Sequence, residues 1–262
     1  MRIIVCAKHV VDSTEVRFDE STGQLILRNL PTKISDYDRN ALEAAVVIKE
    51  SFEDVTVEVL MIGDQVAQKS LKEAVAMGAD KGYLVEGGWD DPFNPLLTAR
   101  GLARGVEELG IPDLIFCGLV SEDGYNSLTG PALAELLDLP YLAPVVGIDL
   151  QEGHVRAALD FGETLREVRA AFPCVLAIDS SMNVPRLPTV LQVMKVKSDR
   201  LGQLSLDGLG LNLQSLLDHV PRVELSHYAS GAVQRKGSVL EGPAATAVAR
   251  LTEYLAQEGV LS

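Results

Sequence analysis

A doubly wound α/β fold with a mostly parallel sheet is predicted for this 262-residue chain by three observations. Strand-sized apolar runs carry no polar alternation, which marks strands buried on both faces. Longer amphipathic runs separate them, as right-handed crossovers onto a parallel sheet require. Apolar residues make up 47% of the chain, and a chain of this length buries roughly three quarters of its unfolded surface.

The elements follow in order. Residues 3–7 form the first strand and residues 39–50 the first helix, with Ser35 or Asp38 placed to cap it. A strand over 55–62 leads to a helix over 65–77, closed by Gly78, whose stripe of Val66, Leu71, Ala74, Val75 and Met77 faces the sheet. Residues 82–85 are the next strand, and Asn94 with Pro95 opens a helix over 95–109. A strand over 114–117, a helix over 128–137 and a strand over 173–178 complete the core. Two regions break the alternation. In residues 14–28, the runs 16–19 and 24–27 flank the turn Glu20-Ser21-Thr22-Gly23, a β-hairpin inserted after the first strand. Beyond Asp179 comes Asn183-Val184-Pro185-Arg186-Leu187-Pro188, and residues 180–236 have little periodicity. So long a stretch without elements reads as an arm ordered by contact with something else. A closing helix over 243–257 carries Val248, Leu251 and Leu255 at helical spacing. The expected domains are therefore an α/β domain, 1–179, and a C-terminal arm with closing helix, 180–262.

Charge narrows the function. A net charge of −14 and a pI near 4.7 repel a phosphate backbone, and no Lys/Arg-rich block offsets them. Nucleic acid and anionic membrane are therefore excluded as expected partners. Cys6, Cys117 and Cys174 form no C-x-x-C pair and sit in apolar runs, where cysteine behaves as a small buried hydrophobe. With a strand beginning directly at Met1-Arg2-Ile3, the expected location is the cytoplasm. No G-x-S-x-G, H-E-x-x-H or P-loop pattern occurs, and His9, His154, His219 and His227 lack metal-ligand spacing. Neither a catalytic residue nor a metal site is expected.

The segment after the strand 114–117 carries the chemistry. A polar, Gly-containing loop, Ser121-Glu122-Asp123-Gly124-Tyr125-Asn126-Ser127-Leu128-Thr129-Gly130-Pro131, runs into the start of a helix. Backbone N–H groups and the helix dipole there suit a phosphate; Asn126, Ser127 and Thr129 add donors, and Gly130 permits close approach. The bland alternative is a capped helix after a tight turn. Three further loops, Cys6-Ala7-Lys8, Ile62-Gly63-Asp64 and Ser35-Asp36-Tyr37-Asp38, fall at the same sheet edge, where nucleotides bind in open α/β sheets. Cys6, Ala7 and Gly63 are small enough for an adenine to lie against backbone.

These motifs resemble the beta subunit of electron-transfer flavoproteins over nearly the whole chain. Ile4-Val5-Cys6-Ala7-Lys8, Ala76-Met77-Gly78-Ala79-Asp80-Lys81-Gly82, the segment 118–131, Ala134-Glu135-Leu136-Leu137-Asp138-Leu139-Pro140, and Asn183-Val184-Pro185-Arg186 with Met194-Lys195 carry the likeness. The resemblance implies an adenine-nucleotide-hydrolase-like, Rossmann-like fold and a heterodimer with an alpha subunit bearing the redox-active FAD. It also implies a C-terminal arm that embraces that subunit. Electrons would pass from a dehydrogenase or NADH towards a quinone reductase or ferredoxin, with any NADH oxidation occurring only in the complex. Carried over, Cys6, Ile62 and the loop from Asp123 and Gly124 through Leu128 to Gly130 would hold the nucleotide, and the segment from Val190 to Lys195 would touch a dehydrogenase. Ile34-Ser35-Asp36-Tyr37-Asp38-Arg39-Asn40 departs from the Asn-Pro motif of AMP-binding members, and the hairpin is similar to that of the electron-bifurcating, nitrogen-fixation-associated branch. That branch implies FAD, in this subunit or shared with the alpha subunit, with Thr98 facing the isoalloxazine and Asp12 nearby; AMP is the alternative occupant. Val11, Pro95 and Leu128 depart from its pattern. The competing reading is a universal-stress-type nucleotide sensor, against which the long arm argues. A triphosphate-cleaving ligase would need a Ser/Gly loop where Lys8-His9-Val10-Val11-Asp12 stands.

Overall fold

The first strand, β1 (Arg2–Cys6), alternates its side chains between two cores: Ile3 and Val5 face one, Ile4 and Cys6 the other. Burial on both faces is why this run reads as continuously apolar. The computed structural model describes residues 1–19, 25–26, 29–86, 94–212 and 237–261. After β1 the chain leaves the sheet as an antiparallel ribbon of β2 (His9–Val11) with β5 (Thr32–Ile34), beyond which β3 (Arg17–Phe18) pairs with β4 (Leu25–Ile26). The expected hairpin is therefore present in its strands; its turn, Glu20-Ser21-Thr22-Gly23, lies outside the described residues.

Helix α1 (Asp36–Ser51) and helix α2 (Gln68–Met77) pack Leu42, Ala45, Leu71 and Ala74 into the core of Ile3 and Val5. Between and after them run β6 (Thr56–Gly63) and β7 (Lys81–Glu86), both parallel to β1. Ten residues are too few for a stable isolated helix, so α2 is held by packing. Fully buried side chains such as Leu71 contribute roughly 1.5–3 kcal/mol each. On the opposite face, α3 (Pro95–Leu109) and α4 (Thr129–Leu136) bury Ala99, Leu102, Val106 and Leu133 in the core of Ile4 and Cys6. Asn94 caps α3 as expected, accepting from the Leu97 N–H at 3.2 Å.

The remaining strands are β8 (Leu114–Gly118), β9 (Tyr141–Gln151), β10 (His154–Asp160), β11 (Leu165–Ala171), β12 (Cys174–Ile178) and β13 (Leu201–Ser205). Among the described residues the sheet has nine strands in the order β11-β10-β9-β12-β8-β1-β6-β7-β13, antiparallel only at β9-β10-β11. The doubly wound α/β class is borne out. The chain runs outward from β1 through β6 and β7, then crosses to the other side of β1 at β8. That reversal opens a crevice between the carboxyl ends of β1 and β8.

Several local expectations are corrected. Val66 is 57% exposed because it sits in a 3-10 turn (Gln65–Ala67) ahead of α2, out of phase with the helix; Ala67 is buried instead. Neither Ser35 nor Asp38 caps α1 with its side chain. The β9-β10-β11 meander was not anticipated, although Val155, Ala157 and Leu159 alternate inward along β10. Within the stretch expected to lack elements, α5 (Val190–Met194) forms, and β13 pairs in parallel with β7 as the sheet's edge. The sheet thus draws one strand from beyond Asp179. The closing helix spans Ala244–Gln257 and buries none of its residues.

Candidate functional site

The carboxyl ends of β1, β6 and β8 form the floor of a cleft of about 290 Å³, with one wall from α3 and another from the loop leading into α4. Cys6, Ala7 and Lys8 line it from β1, Ile62 and Gly63 from β6, and Cys117 and Gly118 from β8. Thr98 contributes from α3, and Asn126, Ser127, Leu128, Thr129 and Gly130 from the loop and helix start. Small residues are needed here for steric reasons. A Cβ on Gly118 would lie 2.6 Å from Asp38 Oδ1 and 2.8 Å from the Tyr37 carbonyl carbon, and one on Gly130 would lie 3.0 Å from Cys117 Sγ.

Asp38 stands at the crevice itself. Its Oδ2 accepts the Lys8 N–H at 2.8 Å and its Oδ1 accepts the Gly118 N–H at 2.9 Å, so one carboxyl joins the two strand ends across the switch point. Burial pushes its pKa up to about 7, against the pull of those two backbone hydrogen bonds. The thiols beside it are inert: burial raises Cys6 well above its ordinary value and Cys117 to about 12, so neither supplies a thiolate at neutral pH. Among the described residues no cluster of His, Cys, Asp or Glu is arranged to hold a metal.

The loop wall suits an anion. Leu128 occupies the N-cap of α4 without a side-chain cap bond, so the first-turn N–H groups at Thr129 and Gly130 have no intrahelical acceptor. Tyr125 and Ser127 adopt positive φ of 48° and 54°, and Asn126 Oδ1 accepts the Leu128 N–H at 3.0 Å. Around the rim, Lys8 pairs with Asp123 at 2.7 Å. Lys33 lies between Asp36 at 2.8 Å, Glu122 at 3.1 Å and Asp12 at 3.7 Å. Burial, reinforced by the Asp36 carboxyl, raises Glu122.

The structure brings twelve of the sequence-predicted residues to the cleft: Cys6, Ala7, Lys8, Asp38, Ile62, Gly63, Thr98, Asn126, Ser127, Leu128, Thr129 and Gly130. Asp12, Ser35, Asp36, Tyr37, Asp123 and Gly124 do not line it; Ser35 is fully buried, and the others stand at the rim or behind the loop. His9, Ala67, Leu102, Cys117, Leu119 and Val120 line it without having been singled out. Leu102 had a signal, since it lies one helical turn from Thr98 on the same face of α3.

Val190 and Lys195 lie away from the cleft. Val190 opens α5 and is 75% exposed, as is Met194, while Lys195 follows α5 on the surface. The preceding segment is pinned to α1. Asn40 and Asn183 exchange amide hydrogen bonds of 2.8 and 2.9 Å, each donating to the other's backbone carbonyl. Arg186 donates to both carboxylate oxygens of Glu43 and reaches Glu50 at 2.6 Å.

Residues 22–207 match the family described as electron transfer flavoprotein domain. The chain is 31% identical to an electron transfer flavoprotein subunit beta of Thermoanaerobacterium thermosaccharolyticum, with all of both chains covered. It is 30% identical to the caffeyl-CoA reductase-Etf complex subunit CarD of Acetobacterium woodii, covering 81% of each chain. It is also 30% identical to the protein FixA of Azorhizobium caulinodans, over 70% of this chain and 67% of that one. No helix among the described residues is long and apolar enough to cross a membrane.

Proposed function

Because the chain belongs to the electron transfer flavoprotein family and aligns end to end with a beta subunit, we propose that it is the nucleotide-binding beta subunit of an electron-transferring heterodimer, its cleft holding the adenosine phosphate portion of a cofactor. The observation that carries this reading is the cleft at the β1–β8 switch point, walled by the uncapped start of α4. The residues fit such a group. The first turn of α4 offers N–H donors that have no intrahelical acceptor, and Asn126, Ser127 and Thr129 stand beside it. Cys6, Ala7 and Ile62 supply an apolar floor for the base.

FAD and AMP share this adenosine phosphate portion. The cleft of about 290 Å³ is at the small end for a nucleotide pocket, and in the FAD reading Thr98, on its α3 wall, is where the isoalloxazine would lie. The departure of Ser35-Asp36-Tyr37-Asp38 from the AMP-type motif favours FAD. When bound, a flavin supplies the one- and two-electron redox chemistry. The chain's own residues bind and orient: the α4 start and Thr129 hold phosphate, Asp38 keeps the crevice at its width, and the packed core behind Cys6 and Cys117 excludes water from the floor. In this reading residues 1–179 form the nucleotide-binding domain, with β13 as borrowed edge, and 180–262 embrace the alpha subunit. The exposed α5 segment with Val190 and Lys195 meets a dehydrogenase, and electrons leave for a quinone reductase or ferredoxin. Similarity to CarD and FixA supports membership of a larger complex, including one that bifurcates electrons. A stand-alone sensor finds no support in these relatives.

The test is the FAD and AMP content per mole of purified heterodimer, for the wild type and for Asn126→Ala/Thr129→Ala. Two FAD without AMP in the wild type would place a flavin here; one of each would make AMP the occupant. Loss of two hydrogen bonds, at about 1 kcal/mol each, lowers nucleotide affinity in the double variant by roughly 30-fold. Unchanged occupancy would remove the phosphate site.

A further inference from the structure

Three side chains reach the loop between β8 and α4 from three other parts of the fold. Lys8, just past β1, sets its ammonium 2.7 Å from Asp123. Lys33, in β5, lies 3.1 Å from Glu122. Tyr37, in the first turn of α1, shares a 2.9 Å hydroxyl–hydroxyl hydrogen bond with Tyr125, their rings meeting edge to face. The loop they hold is an unfavourable one. Tyr125 and Ser127 have φ of 48° and 54°, a region that L side chains rarely adopt and that persists only where the surroundings over-determine it.

The division of labour along the loop is what matters. Glu122, Asp123 and Tyr125, which receive the three tethers, do not line the cleft, whereas Asn126 through Gly130 do. The tethers therefore act on the middle of the loop, residues 122–125, which stands outside the cleft between two lining stretches, 119–121 and 126–130. We infer that Lys8, Lys33 and Tyr37 are positioning residues that hold the middle of this loop, so that the stretch after it presents the α4 start to a nucleotide phosphate before the ligand arrives. The inference rests on the nucleotide reading of the cleft. It also gives Lys8 an indirect role: its charge is met by Asp123, and it serves the phosphate through the loop.

The test is AMP affinity, measured by titration calorimetry on nucleotide-depleted full-length heterodimer, for Lys8→Met, Asp123→Asn, their double variant and Lys8→Arg, with melting temperature recorded alongside. Each single removal is expected to weaken AMP about tenfold, the double variant to be no weaker than either, and Lys8→Arg to restore most of the affinity. A lysine acting directly on the phosphate would be released by Asp123→Asn, so unchanged or tighter binding in that variant overturns the inference. Tyr125→Phe is expected to weaken AMP about threefold, and wild-type affinity there overturns the Tyr37 tether. A wild-type heterodimer that takes up neither AMP nor FAD defeats the reading of the cleft itself; one that binds while all variants match it defeats only the positioning role.

Discussion

Asp38 illustrates how one residue's environment sets its task. A carboxyl that is 6% exposed and bonded to two backbone N–H groups is held between competing effects, with burial the larger. The consequence for stability has a definite sign. Its folded pKa, raised to about 7, lies above the unfolded value of 3.8, so between those values the native state retains a proton that the unfolded state has lost. Its contribution to stability is therefore fully present below the unfolded value, declines as pH rises through the window, and levels off above about 7. Asp38→Asn abolishes this titration and orphans one of the two amides, at a cost of about 1–3 kcal/mol. The stability gap between wild type and variant should shrink by up to about 1 kcal/mol per pH unit from pH 5 to pH 7, read from denaturant melts; a gap independent of pH would refute the assignment. Lys8 was legible as a cleft residue from its place after a strand, but its pairing with Asp123, more than a hundred positions away, was not.

At the scale of elements, α1 does two jobs. Its first turn carries Tyr37 and Asp38 to the site, and its later turns carry Asn40, Glu43 and Glu50, which fasten the segment leading to α5. Glu43 is nearly enclosed, with a side chain 9% exposed against 36% for Arg186. Breaking a buried pair leaves an uncompensated charge, so Arg186→Ala should cost about 2 kcal/mol, below the fully buried limit because arginine is partly solvated. That corresponds to a fall of about 4–8 °C in melting temperature for a chain of this size. Cleavage by a protease near Val190 should accelerate in parallel; unchanged melting and proteolysis would show that the segment is held by something else. The pattern of β10 was readable from its alternation, whereas β13 was not: Leu201 to Ser205 offers only five residues, and its pairing with β7 is decided by what the edge of the sheet leaves unbonded.

Across the whole molecule, the proposed nucleotide site and the proposed surface for the alpha subunit are built from different parts. The cleft uses residues from β1 to α4, while the closing helix Ala244–Gln257 leaves Val248, Leu251 and Tyr254 between 47% and 61% exposed. Exposed apolar residues at helical spacing fit a helix that another subunit covers. Truncation after Gly242 should therefore leave the α/β fold melting within a few degrees of the full beta subunit and yet abolish co-elution with the alpha subunit on gel filtration. A truncated chain that still co-elutes would show that the closing helix is not what holds the alpha subunit.

The α/β class, the strand–helix order from β1 to α4, the polar loop before α4 and most of the cleft floor were determined by the sequence alone, because two-sided burial, capping residues and small residues at strand ends leave a local mark on the chain. The tertiary structure alone decided which polar groups meet. Asp38 serves Lys8 and Gly118, Tyr37 meets Tyr125, and Arg186 closes on Glu43, each across a separation that no period or motif records. Apolar patterning is repeated along an element and so survives in the order of residues. A hydrogen bond between two loops depends on a distance of a few ångströms, and that distance exists only once the β1–β8 crevice has formed.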